Sequence, residues 1–234
     1  EVPGVLTRLS NNREFIDTLL SIKYPRIFRW APWLMRPVIS RALHHAFRKM
    51  TTVKDLHGAM RASLENLLTD IGTTVTVSGL DKLDRGTPYL FISNHRDIAM
   101  DPAFLNVALY DDDRDTVRIA IGDNLLTKEF TSDLMRVNKS FIVKRSVTGR
   151  RDKLAALIQL SRYIRFSLTE EQTSTWIAQR EGRAKDGMDK TEPALLKMLA
   201  LSKQKNQTFA DAMQELNVVP VAISYEFDPL DKAK

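Results

Sequence analysis

From residue 73 onward, short β-branched runs alternate with helical patterns. The stretches 73–79 (TTVTVSG), 87–93 (TPYLFIS), 116–122 (TVRIAIG), 139–145 (KSFIVKR), 173–178 (TSTWIA) and 218–224 (VVPVAIS) all read as strands. Between several of them the apolar residues recur at helical spacing, over 102–108, 125–135, 152–168, 192–203 and 208–216. Strands separated by helices cannot pair through tight hairpins. They predict an α/β layer with a mixed, largely parallel sheet flanked by helices.

The residues before this alternation read as helical. Asn12 is placed to cap a helix through Phe15, Ile16, Leu19 and Leu20. Residues 52–70 predict another, with Thr52 and Asp55 in a capping-box arrangement and Leu56, Met60, Leu64, Leu67 and Leu68 on one face. Gly72 is suited to end it. We therefore expect a basic amphipathic helical segment over residues 1–70, followed by an α/β domain over 71–234. The chain opens on Glu1 and stops soon after its last strand, so we expect a trimmed chain whose domain continues past residue 234; no signal peptide is evident.

Charge separates the two parts. The whole chain has a formal charge of +6, and residues 1–50 hold nine basic but only three acidic residues, so this fifth contains the entire excess. Residues 23–50 place Ile27, Phe28, Trp30, Trp33, Leu34 and Met35 among Arg26, Arg29 and Arg36. That mixture fits a helix lying in a membrane interface, and equally one packed on the main domain with its arginines in water. No stretch approaches the ~20 apolar residues a spanning helix needs. Basic residues without a nucleic-acid motif do not predict a nucleic-acid partner. Cysteine is absent, which removes thiolate catalysis, disulfides and Cys-ligated metal sites. The acidic run 111–115 lacks the Gly and distal Glu of a calcium loop and predicts a solvated turn.

The chemistry is expected where a strand runs out. Residues 91–102 read FISNHRDIAMDP, with His95 just past the last apolar strand residue, Ile92. Functional groups of α/β sheets collect beyond the carboxyl ends of strands. Asp101-Pro102 predicts a helix start, with Asp101 as its cap. A histidine facing such an aspartate suits a base and the group that orients it. Asp97 is the rival carboxylate. The chain holds no G-x-S-x-G elbow, no H-E-x-x-H and no Gly-rich phosphate loop. A base at His95 would then take its proton from a bound substrate, which predicts direct group transfer to a hydroxyl or amine.

Four stretches together resemble the PlsC/PlsB glycerolipid acyltransferases. SNHRDIAMDP is similar to the family's N-H-x-x-x-x-D motif, with one residue more between His95 and Asp101. KSFIVKRS resembles the second motif, ending at Arg145. WIAQREGRAKDG resembles the third, with Glu181, Gly182 and Arg183, and VVPVAISYE resembles the fourth, around Pro220. In the third motif Gln179-Arg180 stands before E-G in place of the family's usual residues, and the phosphate contact falls to Arg183 or Lys185. The resemblance spans residues 91–226 and does not reach the helices before residue 70.

This resemblance implies transfer of a fatty acyl group from acyl-CoA or acyl-carrier protein to the hydroxyl of a glycerol phosphate or lysophospholipid, 1-acyl-sn-glycerol-3-phosphate first among them. His95 would be the base and Asp101 its orienter. Arg145 and Arg183, helped by Lys144 and Arg96, would hold the acceptor's phosphate. Glu181 would position groups of the site, Gly182 would let backbone approach the ligand, and Pro220 would be structural at a strand start or edge. The implied enzyme uses no cofactor beyond its thioester co-substrate and no metal. It works in phospholipid biosynthesis, peripherally at the cytoplasmic face of a membrane. Two other readings stay open at this point: a non-catalytic lipid-binding module, and an acyl-thioester hydrolase. A family member with degenerate motifs is a third.

Overall fold

The computed structural model describes residues 1–184 and 188–226. In chain order the helices and strands are α1 (Val2–Asn11), α2 (Arg13–Lys23), α3 (Pro25–Trp30), α4 (Pro32–Phe47), α5 (Val53–Asp70), β1 (Leu90–Ser93), α6 (Met100–Asp111) and β2 (Arg118–Gly122). They continue as α7 (Glu129–Val137), β3 (Ser140–Val143), α8 (Arg150–Thr169), β4 (Thr175–Ala178), α9 (Pro193–Leu199), α10 (Phe209–Glu215) and β5 (Val218–Val221). The chain divides into two compact units, one of residues 1–74 with 124–140, the other of residues 75–123 with 141–234.

The first unit is helical. Asn12 caps α2 by accepting the Phe15 N–H, and Thr52 with Asp55 forms a reciprocal capping box on α5. Gly72 follows α5 with φ +66°, the left-handed turn that glycine takes without strain. Val2, Val5, Leu6 and Leu9 of α1 bury against Leu56, Phe130 and Val137. Arg8 of α1 forms a two-pronged ion pair with Asp133 of α7, at 2.9 and 2.6 Å. Arg36 pairs in the same way with Asp17. By contrast, α3 and α4 contribute no buried residue.

The second unit is built on a five-stranded, all-parallel sheet in the order β3-β2-β4-β1-β5, flanked by helices. Ladder pairs include Phe91 with Trp176 and with Val219. Strand β1 lies between two neighbours, and all four of its residues are buried, which is why it reads as a continuous apolar run. Leu90, Ile92, Phe141 and Ile177 of the sheet pack with Leu160, Ile164 and Leu168 of α8 and with Met198, Leu199 and Leu216. Pro220 sits on β5 at the sheet edge, where its missing N–H removes no ladder bond on the open side.

Two local expectations fail. The stretch 73–79 belongs to no strand; Val75 and Val77 are exposed in a segment without regular secondary structure. Its alternation has the right period, but β propensity is realised only against a neighbouring strand and a packed face. Asp101 is also not the cap of α6. The helix begins at Met100 with Ala99 at its N-cap, so Asp101 lies inside its first turn, and the Asp97 carboxylate accepts the N–H groups of Ala99 and Met100. The acidic run is a helix end and a turn, as its composition predicts, with Asp112 paired to Arg85 and Arg114. Those two guanidiniums hold the Asp112 carboxyl below its ordinary value, Arg114 through the larger effect.

Candidate active site

In an all-parallel sheet every strand ends on the same edge. The segments after β1, β3, β4 and β5 are therefore delivered to one rim of the second unit. Side chains join them there. Asn94, after β1, exchanges two hydrogen bonds with the main chain of Ile223, after β5, both at 2.7 Å. The Gln179 N–H, after β4, donates to the Ser93 carbonyl at 2.7 Å. Arg145, after β3, lies 3.7 Å from Glu181, after β4. Four stretches spread over residues 91–226 thus meet through named contacts.

His95 stands on this rim after β1, the strand between β4 and β5. Its Nδ1 is 3.1 Å from Asp101 Oδ2. The His95 side chain is 11% exposed and that of Asp101 is fully buried. The additional residue between them is accommodated by wrapping: the N–H groups of Arg96 and Asp97 both donate to Asp101 Oδ2, at 2.8 and 3.0 Å. Tyr225 donates its phenol to the other oxygen, Oδ1, at 2.8 Å. The two oxygens of this buried carboxyl group thus accept two main-chain N–H groups and a phenol. Nδ1 must then carry the imidazole proton, which leaves the lone pair on Nε2. No hydrogen bond to Nε2 is found among the described residues.

Asp97 does other work. Its Oδ1 accepts the N–H groups of Ala99 and Met100, both at 2.9 Å, so it closes the loop onto the start of α6. Its Oδ2 lies 4.0 Å from the Arg183 guanidinium. The His95 N–H donates to Asp189, and the His95 carbonyl accepts the Ala184 N–H at 2.9 Å, so the backbone of the histidine is clamped on both sides. The Trp176 ring stands edge-on to the imidazole at 6.5 Å, its Nε1 donating to the buried Ser93 hydroxyl at 3.0 Å.

The cations differ in placement. Arg145 and Arg183 border the rim, each beside one carboxylate, with side chains 35% and 26% exposed. The turn carrying Arg145 is anchored by Asp123, which accepts the N–H groups of Arg145 and Ser146, both at 3.1 Å. Lys144 turns instead toward α8, where it bonds Gln159 at 3.3 Å. Arg96 contributes its N–H to Asp101, and its charge acts on the Tyr225 phenol. Lys185 lies outside the described residues. Gly182 has φ +76°, and a Cβ there would meet nothing within 4 Å. The left-handed turn at this position is one that glycine takes without strain.

Tyr225 and Asp189 carry no role in the sequence reading. Tyr225 follows the apolar run of the last strand by only a few residues, which is a usable signal in retrospect; nothing in the sequence marks Asp189. Burial first, and then the Asp101 charge, push the Tyr225 hydroxyl well above the ordinary phenol value, so it stays protonated and donating. Among the described residues no group of three or more His, Asp or Glu side chains could hold a metal ion.

A family model described as acyltransferase matches residues 74–224, which takes in all four strand-end segments. No curated protein matches the chain.

Proposed function

Because the chain belongs to the PlsC-type glycerolipid acyltransferase family and is an O-acyltransferase, we propose that it moves a fatty acyl group from acyl-CoA or acyl-carrier protein to the hydroxyl of a glycerol phosphate or lysophospholipid, with 1-acyl-sn-glycerol-3-phosphate as the preferred acceptor. The carrying observation is the His95–Asp101 pair, in which a buried, fully hydrogen-bonded carboxylate fixes the imidazole tautomer. Nε2 takes the proton of the acceptor hydroxyl as its oxygen attacks the thioester carbonyl. The carbon–sulfur bond then breaks, and the imidazolium returns the proton to the departing thiolate. Asp101 stabilises the imidazolium between the two steps.

Arg145 and Arg183 supply planar, charge-assisted donors for the acceptor's phosphate. Each is paired to a carboxylate at a long distance, 3.7 and 4.0 Å, a contact that a phosphate can replace. Glu181 is 75% exposed and sits beside Arg145, which suits positioning of that arginine and not proton transfer.

Association with an anionic lipid surface is part of the same proposal. In the helical unit Ile22, Tyr24, Ile27, Trp30, Trp33, Leu34 and Val38 are all exposed, and Lys23, Arg26 and Arg29 lie exposed among them. An amphipathic pair of tryptophans with neighbouring cations fits the headgroup region. No helix among the described residues is long and apolar enough to cross a membrane.

The test is turnover of a labelled long-chain acyl-CoA by the purified protein, with and without 1-acyl-sn-glycerol-3-phosphate. Acceptor-dependent thiol release, abolished in a folded His95→Ala variant, is the expected result. Equal release without any acceptor would mark a hydrolase. Release that survives His95→Ala would remove the histidine from the chemistry.

A further inference from the structure

We infer that Tyr225 is a positioning residue of the transfer reaction, holding the second oxygen of Asp101 so that the first stays aimed at His95. The inference rests on the reading of His95 as the base.

The two oxygens of Asp101 are served unequally. Oδ2 receives the imidazole Nδ1 and the N–H groups of Arg96 and Asp97, all from the same short loop. Oδ1 has one hydrogen-bond donor among the described residues, the Tyr225 phenol at 2.8 Å, 124 positions away in sequence. A fully buried carboxylate pivots about its last torsion unless both oxygens are held. Tyr225 is itself held twice. The reciprocal amide exchange between Asn94 and Ile223 fixes the chain two residues before it. Its ring lies 5.9 Å from that of Phe104, on α6 one turn beyond Asp101. The phenol therefore ties the last strand to the base-bearing loop through the one atom of Asp101 that the loop does not reach.

Tyr225 also sets how strongly Asp101 holds the imidazolium. A donor on Oδ1 draws charge from the carboxylate and makes it a weaker acceptor for the Nδ1 proton. Without that donor the imidazolium is favoured, so His95 becomes free base only at higher pH. Burial and the Asp101 charge keep the phenol protonated, so it acts as a donor throughout the working range. Among the described residues, the other charged groups facing this cluster are Arg96 and Asp97 on the loop, Arg183 beside Asp97, and Asp189 on the His95 N–H. All of them are unchanged by the substitution proposed here.

The experiment compares wild type, Tyr225→Phe, Asp101→Asn and the double variant, with labelled acyl-CoA and 1-acyl-sn-glycerol-3-phosphate as substrates. Tyr225→Phe keeps the ring and removes only the hydroxyl. We expect kcat to fall by about tenfold, as for one hydrogen bond to a charged group, with KM for both substrates within about twofold. The acidic limb of the kcat/KM profile should move up by roughly half a unit to one unit of pH. In the Asp101→Asn background the same substitution should have almost no further effect, because Tyr225 acts through that carboxylate. A 2,3-difluorotyrosine at position 225, a stronger donor, should move the limb to lower pH. A Tyr225→Phe limb that stays put or moves down, or effects that multiply in the double variant, would overturn the role of Tyr225. An inactive His95→Ala beside a wild-type-like Tyr225→Phe would end this inference alone, whereas an active His95→Ala would end the reading beneath it.

Discussion

Asp97 and Asp101 are the same residue type four positions apart, and the structure gives them opposite tasks. Asp101 is buried against the imidazole; Asp97 spends one oxygen on the start of α6. Asp101→Asn is expected to lower kcat by about two to four orders of magnitude, since it removes the charge that fixes the tautomer and supports the imidazolium. Asp97→Ala is expected to cost about 1 kcal/mol of stability by leaving the Ala99 and Met100 N–H groups without this acceptor, and Asp97→Asn, which can still accept them, much less. Steady-state kinetics and chemical denaturation on the three variants would expose a reversed assignment. Both carboxylates stand out in the sequence as candidates. Choosing between them was beyond a reading by spacing, because the extra loop residue is absorbed by two main-chain N–H groups whose direction depends on the folded loop.

The strands were legible because β1, β4 and β5 are short apolar runs bounded by polar turns, and the helices because α8 and α10 show caps or apolar repeats. The failure at 73–79 shows the limit of period: pairing needs a partner, and a local pattern does not name one. In motif III, Gly182→Ala places a side chain at φ +76° with no clash, so the cost is conformational, roughly 1 to 2 kcal/mol in that turn. We expect a several-fold higher KM for the phosphorylated acceptor together with a lowered denaturation midpoint. Between α1 and α7 the prediction concerns acid. The hydrogen bonds from Arg8 hold the Asp133 carboxyl below the usual range. A depressed folded-state value means that this stabilisation is complete above the unfolded value of about 4 and is lost as pH falls through the folded value. Asp133→Asn should lower the melting temperature at pH 7 and flatten its decline below about pH 4; a parallel decline in both proteins would show that the pair does not contribute.

For the molecule in its setting, the apolar residues exposed on α3 and α4 matter most. Removing residues 1–50 would be a poor test of them, because Val2, Val5, Leu6 and Leu9 belong to the core of the helical unit. Replacing Trp30 and Trp33 with serine leaves that core intact. We expect the double variant to lose most of its sedimentation with vesicles containing anionic lipid, and expect Arg26→Ala with Arg29→Ala to weaken binding most at low salt. Unchanged sedimentation in both variants would remove the lipid surface from the proposal.

The order of strands and helices, the basic character of the first fifty residues and the four polar stretches at strand ends were all readable along the chain, because period, charge and turn chemistry are local properties. Which apolar residues of α8 face inward was not: Leu160, Ile164 and Leu168 are buried while Leu154 and Leu157 of the same helix are exposed. Nor was the phenol of Tyr225 behind Asp101. These are contacts between residues distant in sequence or across a folded loop. They exist because an all-parallel sheet delivers every strand end to one edge, and only the packed sheet determines which ends are neighbours.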